Sequence, residues 1–358
     1  MSQDLFFKSI SEHYSKKLPF VVYCKPSSFH VHALLQKNDV LFKISDYTES
    51  GFIFAPFDFR KDSILIPFGL SKSLKLSTEI IQADDRELKE YKAVNDKDRH
   101  IKIVHNAINA IRDGQLEKVV LSRFESLTLE KVELIEIIKR TILLYDAAFT
   151  YCWYHPQVGL WVGATPETLL TVENGIAHTM ALAGSQEYQG VTDVLWNDKE
   201  KQEQEYVTNY IVKQLEPHVA DLEINTPETV RAGQLLHLQS SISGVLKTKD
   251  TSLKQILTAL HPTPAVCGLP KVDALQFILD NENYNREFYT GFLGELNYES
   301  KNDQYRSSDL YVNLRCMQLK EKEALVYVGG GITKQSDPEH EWIETLNKSK
   351  TMVQVIAF

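Results

Sequence analysis

Phe288–Tyr298 (FYTGFLGELNY), Asp309–Leu319 (DLYVNLRCMQL) and Ala324–Ile332 (ALVYVGGGI) follow one another near the end of the 358-residue chain. Each run is rich in aromatic and branched aliphatic residues and is bounded by polar clusters, which predicts consecutive strands. Upstream, AFTYCWY (148–154) and LWVGATPETLLTV (160–172) read as another strand pair across a short turn, and KVVLSR (118–123) as a further strand. Shorter runs, FVVYC, VLFKI and GFIFAPF, mark strands within the first 85 or so residues, and two more fall around Leu236 and Ile242. Helical patterns are inserted between them. Ile101, Val104, Ile108 and Ile111 step by three and four within a helix expected from about Asp84 to Asp113, which Gly114 stops. Others are expected over Glu130–Tyr145, over Asp198–Leu215, on either side of HPTPAVCGLP (261–270), and from Pro338 to the end. Strands pairing antiparallel with helices between them, and no βαβ repeat, predict an α+β fold. No linker divides the chain, so one domain is expected over 1–358, with a strand-rich part, 1–90, and a part carrying the chemistry, 91–358.

The chain has 39 Lys and Arg against 48 Asp and Glu, a net charge of −9. Without a dense basic block this excludes a sequence-independent nucleic-acid binder and adhesion to an anionic membrane. Cys24, Cys152, Cys267 and Cys316 are too far apart for a CxxC metal pair and read as buried thiols. The first twenty residues lack the apolar core of a signal peptide, and no apolar run approaches the ~20 residues of a membrane span. A cytoplasmic protein is the expectation.

Two helices carry acids in places that need explaining. The C-terminal helix starts with Asp337 as N-cap and Pro338 at the first helical position. At about 100° per residue, Glu341, Glu344 and Lys348 share one stripe, while Trp342, Leu346 and Val353 group elsewhere. In Asp198–Leu215 the same spacing puts Glu203 on the stripe of Val207, Tyr210 and Ile211, with Glu200 about 60° away. A carboxylate on an inward face is paired, protonated or bound to a cation, because an isolated buried charge costs several kcal/mol. Facing carboxylates without thiolate or histidine partners suit Mg²⁺, which takes oxygen ligands. Zinc is disfavoured: His340-Glu341 opens an HExxE string that lacks the second histidine of HExxH.

Lys118 alternates with Val120 and Ser122 on one side of its strand, and so either snorkels at the strand end or is held inside. Held inside, an amine is a candidate general base, because burial disfavours its charged form. Glu167 follows Gly163-Ala164-Thr165-Pro166 where the chain turns back toward the core. It either caps that turn or, with a raised pKa, serves as the acid complementing Lys118.

KVVLSR, GATPETLL, LAGS, HPTPAVCGLP, LRC, GGGI and DPEHEWIETLNK stand in one order across about 240 residues, and together they resemble the chorismate-binding enzyme family, and within it the isochorismate synthases. The first third resembles that family only weakly. The resemblance implies two packed antiparallel sheets with helices outside, as in anthranilate synthase component I, and a Mg²⁺-dependent site between the halves. It implies Lys118 as the base activating water, Glu167 as the acid, Glu203 and Glu344 as metal ligands, and Glu200 and Glu341 as carboxylates just behind them. Arg315 and Lys348 match positions that hold a substrate carboxylate. Gly184, Ser185, Gly330 and Gly331 resemble backbone donors close to the substrate, and His237 the histidine that orients its ring. Where the family often reads KDRHEH, this chain reads KEKQEQ, and the family's GAGI is here GGGI.

Within the family the nucleophile separates the reactions. Aminodeoxychorismate synthases typically carry a lysine where this chain has Ala183, and ammonia-using anthranilate synthases usually a glutamine at the position of Lys118, so the resemblance implies water as nucleophile and no glutaminase subunit. Ala265, where salicylate synthases tend to have threonine, implies that the reaction stops at isochorismate, feeding menaquinone or siderophore synthesis. Salicylate synthase and a non-catalytic Mg²⁺-binding regulatory member are the alternatives. A monomer or homodimer is expected.

Overall fold

The computed structural model describes residues 1–83, 96–232, 235–247, 252–299 and 306–356. Its strands form two sheets, and the pairings are antiparallel throughout the described residues. The first runs, in hydrogen-bonded order, Gly268–Leu269, Lys118–Thr128, Glu323–Ile332, Cys316–Lys320, Gly159–Thr165, Phe149–His155, Phe20–Cys24, His30–Gln36 and Ser71–Ser77. The second runs Val219–Ile224, Leu235–Leu246, Ile176–Glu187, Thr168–Glu173, Ser307–Val312, Phe292–Tyr298, Gly51–Ala55, Ile64–Pro67 and Phe42–Lys43, with Glu228–Ala232 also on Leu235–Leu246. The expected α+β architecture of two packed sheets is observed. Strands from the first 80 residues complete both sheets.

The inner faces meet in an aromatic layer in which Phe54 stacks on Phe288 at 4.2 Å and Phe149 on Tyr311 at 4.1 Å. Trp153, Trp161 and Tyr327 belong to the same buried cluster. Such rings fill the roughly 10 Å between packed sheets with few side chains. Outside the first sheet, Gln3–Ser15, Leu134–Leu144 and Pro338–Ile356 bury Phe6, Ile137 and Met352 against it. Outside the second, Asp198–Leu215 and Leu253–Leu260 bury Val207, Ile211 and Ile256. The helices therefore turn their apolar stripes inward, as the spacing predicts.

Two strands read as continuous in sequence are each divided between the sheets. Gly159–Thr165 lies in the first sheet and Thr168–Glu173 in the second, so the chain crosses over at Pro166–Glu167. Ser307–Val312 and Cys316–Lys320 are likewise split, with Asn313–Arg315 crossing back. Proline has no N–H to extend a ladder, which favours a break at Pro166. The crossings are tied to each other: Val312 N donates to Glu167 O at 2.9 Å and Ala164 N to Arg315 O at 3.0 Å. This doubled crossing joins the backbones of the segments that carry Glu167 and Arg315, and both residues lie between the sheets.

Other boundaries differ by smaller amounts. The strand at Lys118 runs on to Thr128, and Leu236 and Ile242 sit in one strand rather than two. The first long helix is Lys97–Arg112, ended by Gly114 at φ +77; its expected beginning at Asp84 lies outside the described residues. The four cysteines are buried and free. No described helix is long and apolar enough to cross a membrane.

Candidate active site

A cavity of about 190 Å³ opens between the two sheets beside the crossings. Lys118, Glu167, Gly184, Glu200, Glu203, His237, Ala265, Arg315, Gly330, Gly331, Glu341, Glu344 and Lys348 all line it. Every site residue expected from sequence is there except Ser185, whose side chain lies outside the described residues.

Lys118 is interior, 9% exposed, and its Nζ donates to Glu203 Oε1 at 2.6 Å. Snorkelling at the strand end is excluded. Glu167 is 5% exposed, and burial pushes its carboxyl up to about 7, against the opposing pull of the Lys118 ammonium. Its own N–H is taken by Thr165 Oγ1 at 3.3 Å and its carbonyl by Val312, so the backbone of the turn is capped without the carboxyl. The carboxyl is left to the cavity.

Gly184 sits at an irregularity in its strand with φ +72, a conformation that strains any residue with a side chain. Its carbonyl lies 2.8 Å from His237 Nδ1. Burial lowers the His237 pKa to about 4, so the ring is neutral. In the tautomer that donates from Nδ1 to Gly184 O, Nε2 is an acceptor.

The run Gly329–Gly331 has a different cause. Pairing with Cys316–Lys320 stops at Tyr327, which leaves one side of Val328–Ile332 without a strand partner among the described residues. A β-carbon on Gly330 would come 3.2 Å from Glu341 Oε2 and 3.9 Å from Glu344 Oε1; on Gly331 it would meet Lys118 Cε at 3.1 Å and Glu203 Oε1 at 3.5 Å. Absent side chains let acids from two helices and the lysine close in on the strand. Gly331→Ala therefore should displace Lys118 and Glu203, lowering turnover roughly 10- to 100-fold by misplacing reactive groups. The neighbours are flexible side-chain ends, so the melting temperature should barely move; a parallel loss of folding in thermal melts would refute this explanation.

Lys348 Nζ binds Glu344 Oε1 at 2.5 Å and Gly329 O at 3.0 Å, and that ammonium holds the Glu344 carboxyl below its usual range. Arg315, at φ 45 in the crossing segment, donates from Nη1 to Thr351 Oγ1 at 3.0 Å. Glu341 is buried, and Glu200 Oε2 is buried with no hydrogen-bond partner among the described residues. An orphaned carboxylate oxygen is costly to bury and attracts a cation. The donors are all oxygen, the chemistry of Mg²⁺ rather than of zinc, and His340 is exposed. Among the described residues no three acids, histidines or cysteines converge as a finished metal cage. Glu203 and Glu344 instead each hold a lysine.

Tyr289, Thr290, Leu314 and Tyr327 also line the cavity, and sequence reasoning missed them. Tyr289 and Tyr327 stack at 5.4 Å. The only trace in the sequence is their position beside glycines, in FYTG and YVGGG.

A buried lysine, a carboxyl near neutrality, four more carboxylates and two further cations in one cleft define an enzyme site for a small organic anion. A sequence model of the family described as chorismate binding enzyme matches residues 70–357, and the chain belongs to that family. Isochorismate synthase DhbC of Bacillus subtilis is 29% identical over 270 residues, covering 71% of this chain and 66% of that protein, so the chain spans just under two thirds of its length. Isochorismate synthase EntC of Escherichia coli is 27% identical over 316 residues, 84% of this chain and 79% of that protein. Among solved structures, MenF, the menaquinone-specific isochorismate synthase of Escherichia coli, superposes with a TM-score of 0.77 at 22% identity, covering 94% of this chain and 88% of that chain. That likeness bears on the fold.

Proposed function

We propose that the chain is an isochorismate synthase, an isomerase that moves the ring hydroxyl of chorismate from C4 to C2. One observation carries this reading: Lys118 and Glu167 are both buried on a single cavity, and the Glu167 carboxyl is pushed up to about 7. Chemistry that takes a proton from water at one carbon and gives one to a leaving hydroxyl at another needs such a pair.

In the proposed reaction Lys118, having first given up its own proton, accepts one from water as the water attacks C2. The ring double bonds shift, and the C4 hydroxyl departs as water with the proton of Glu167. Arg315 and Lys348 offer positive charge to a substrate carboxylate, and His237 Nε2 accepts a hydrogen bond from the ring. Attack and departure occur at different carbons of one ring, so holding the ring still is a large part of the task. Glu203 and Glu344 would hold Mg²⁺, with Glu200 and Glu341 behind them; the all-oxygen donor set and the orphaned Glu200 Oε2 support this. The bound ion supplies Lewis-acid polarisation and a local positive field.

Incubating the protein with chorismate and Mg²⁺ and separating the products tests the proposal. Isochorismate supports it, salicylate with pyruvate replaces it by the longer reaction, and unchanged chorismate leaves a non-catalytic member of the family. Glu344→Gln is expected to weaken Mg²⁺ binding by about tenfold or more, since a charged oxygen ligand is lost. Calorimetric titration with Mg²⁺ checks this, and an unaltered isotherm would remove Glu344 from the ligand set.

A further inference from the structure

The strand that carries Lys118 has a second cavity further along its free edge. Gly268–Leu269 pairs only with Lys118 and Val119, and beyond them that edge meets no strand among the described residues. A space of about 260 Å³ lies there, between the N-terminal turn of helix Lys97–Arg112 and the segment around Glu282 and Tyr284.

Two deeply buried side chains on its wall have an unused nitrogen. Arg123, 4% exposed, donates from Nε to Thr345 Oγ1 at 2.9 Å and from Nη2 to Glu125 Oε1 at 2.5 Å, but Nη1 has no partner among the described residues. His100, 3% exposed, has the same deficit at Nε2. Buried donors left unsatisfied cost about 1–3 kcal/mol each, so their presence on a cavity wall points to a missing acceptor. Arg99, exposed at the mouth, is held loosely: Nη2 on Glu282 O at 2.8 Å, Nη1 3.7 Å from Asp96.

The acids nearby already have cationic partners, although Glu125 Oε2, like Arg123 Nη1, is without a hydrogen-bond partner among the described residues. Glu282 takes Arg286 at 2.5 Å together with the N–H and hydroxyl of Ser122, Glu125 takes Arg123, and Asp96 faces Arg99. Three arginines against three acids leave no net charge, so an anion here is held by individual hydrogen bonds, and burying the single charge of a monoanion costs less than burying the two of phosphate. Phe124 and Tyr284 meet edge to face at 5.3 Å and supply an aromatic wall, with Phe124 36% exposed.

We propose that this cavity binds a small aromatic carboxylate, its carboxylate on Arg123, His100 and Arg99 and its ring against Phe124 and Tyr284. Burial and the neighbouring Arg123 charge lower the His100 pKa to about 4, so the ring is neutral and can present a donor at Nε2. The guanidinium of Arg123 also lies 4.2 Å from the Trp342 ring, so that indole reports on the site.

Benzoate is the probe, with acetate and inorganic phosphate as comparisons, read by calorimetry and by indole fluorescence. Saturable benzoate binding is expected, tighter than that of either comparison ion. Arg99→Ala should weaken it by about tenfold, the loss of a charged hydrogen bond. Phe124→Ala should weaken benzoate roughly threefold or more and leave acetate unaffected. Both residues are exposed, so neither change should disturb folding. Lys348→Ala, in the other cavity, should leave benzoate affinity as it is. No saturable binding, phosphate preferred over benzoate, or a loss with Lys348→Ala and none with Arg99→Ala would each overturn the proposal.

Discussion

Glu167→Gln is expected to lower turnover by about 10²–10⁴-fold, the usual worth of a general acid, while substrate affinity changes little. Glutamine keeps the shape of the side chain and removes the proton that leaves with the C4 hydroxyl. The wild-type pH profile should carry the same mark. The acid works only when protonated, so the loss of its proton at about 7, where burial has placed this carboxyl, should contribute a falling limb to the profile, alongside the rising limb of the base. In the variant that descending limb should be missing from whatever residual rate is measured.

The shifted carboxyl also predicts an effect on stability of the opposite sign. The ordinary value is 4.5, so in the unfolded chain the proton leaves there, whereas the folded protein keeps it up to about 7. The folded state binds more protons in that window, and the stability this gives is complete below pH 4.5 and lost as pH rises through 7. The gap is worth roughly 3 kcal/mol as an upper bound. Above pH 7 the wild type carries this cost and the glutamine variant does not, so Glu167→Gln should melt higher at pH 8 and approach the wild type near pH 4.5. An inactive variant that is also less stable at pH 8 would mean that Glu167 is a structural carboxylate.

The helix faces were legible in the sequence because a 3.6-residue period directly reports which side is covered. Glu203 could be placed with Val207 and Ile211 on an inward stripe before any coordinates, and Glu341, Glu344 and Lys348 on one shared stripe, though the spacing did not say that this stripe faces the cavity. The crossings could not. A strand's alternation is the same whichever sheet it joins, so LWVGATPETLLTV and DLYVNLRCMQL read as unbroken although each serves both sheets. Those hidden breaks carry Glu167 and Arg315, so the sequence identified both residues without the reason they reach the same cavity. The edge strand Val219–Ile224 was missed because it is short and half exposed: Asp221 and Glu223 alternate with Leu222 and Ile224, but over too few residues to stand out beside the helix that precedes it. Sequence also could not show that Glu203 and Glu344 each hold a lysine, since those contacts join separate elements or depend on rotamers.

That pairing shapes what Lys118→Ala should do. Turnover is expected to fall by about 10³-fold or more, with binding of chorismate in the presence of Mg²⁺ largely kept, since the lysine faces water and not a substrate carboxylate in the proposed reaction. The second consequence concerns Glu203. Its Oε1 is 2.6 Å from the ammonium in a site where both side chains are mostly covered, and removing Lys118 takes away that compensating charge from a largely covered carboxylate. The variant should therefore be less stable without divalent ions and regain stability as Mg²⁺ is added, because a ligand that binds only the folded state stabilises it by mass action. Mg²⁺ affinity itself should rise by roughly tenfold, as a neighbouring positive charge has gone. Thermal melts against Mg²⁺ concentration, together with calorimetry, separate this from simple damage: a damaged site binds Mg²⁺ more weakly, whereas a site freed of its resident ammonium binds it more tightly. Near-normal turnover would remove Lys118 as the base, and weaker Mg²⁺ binding would place the ion away from Glu203.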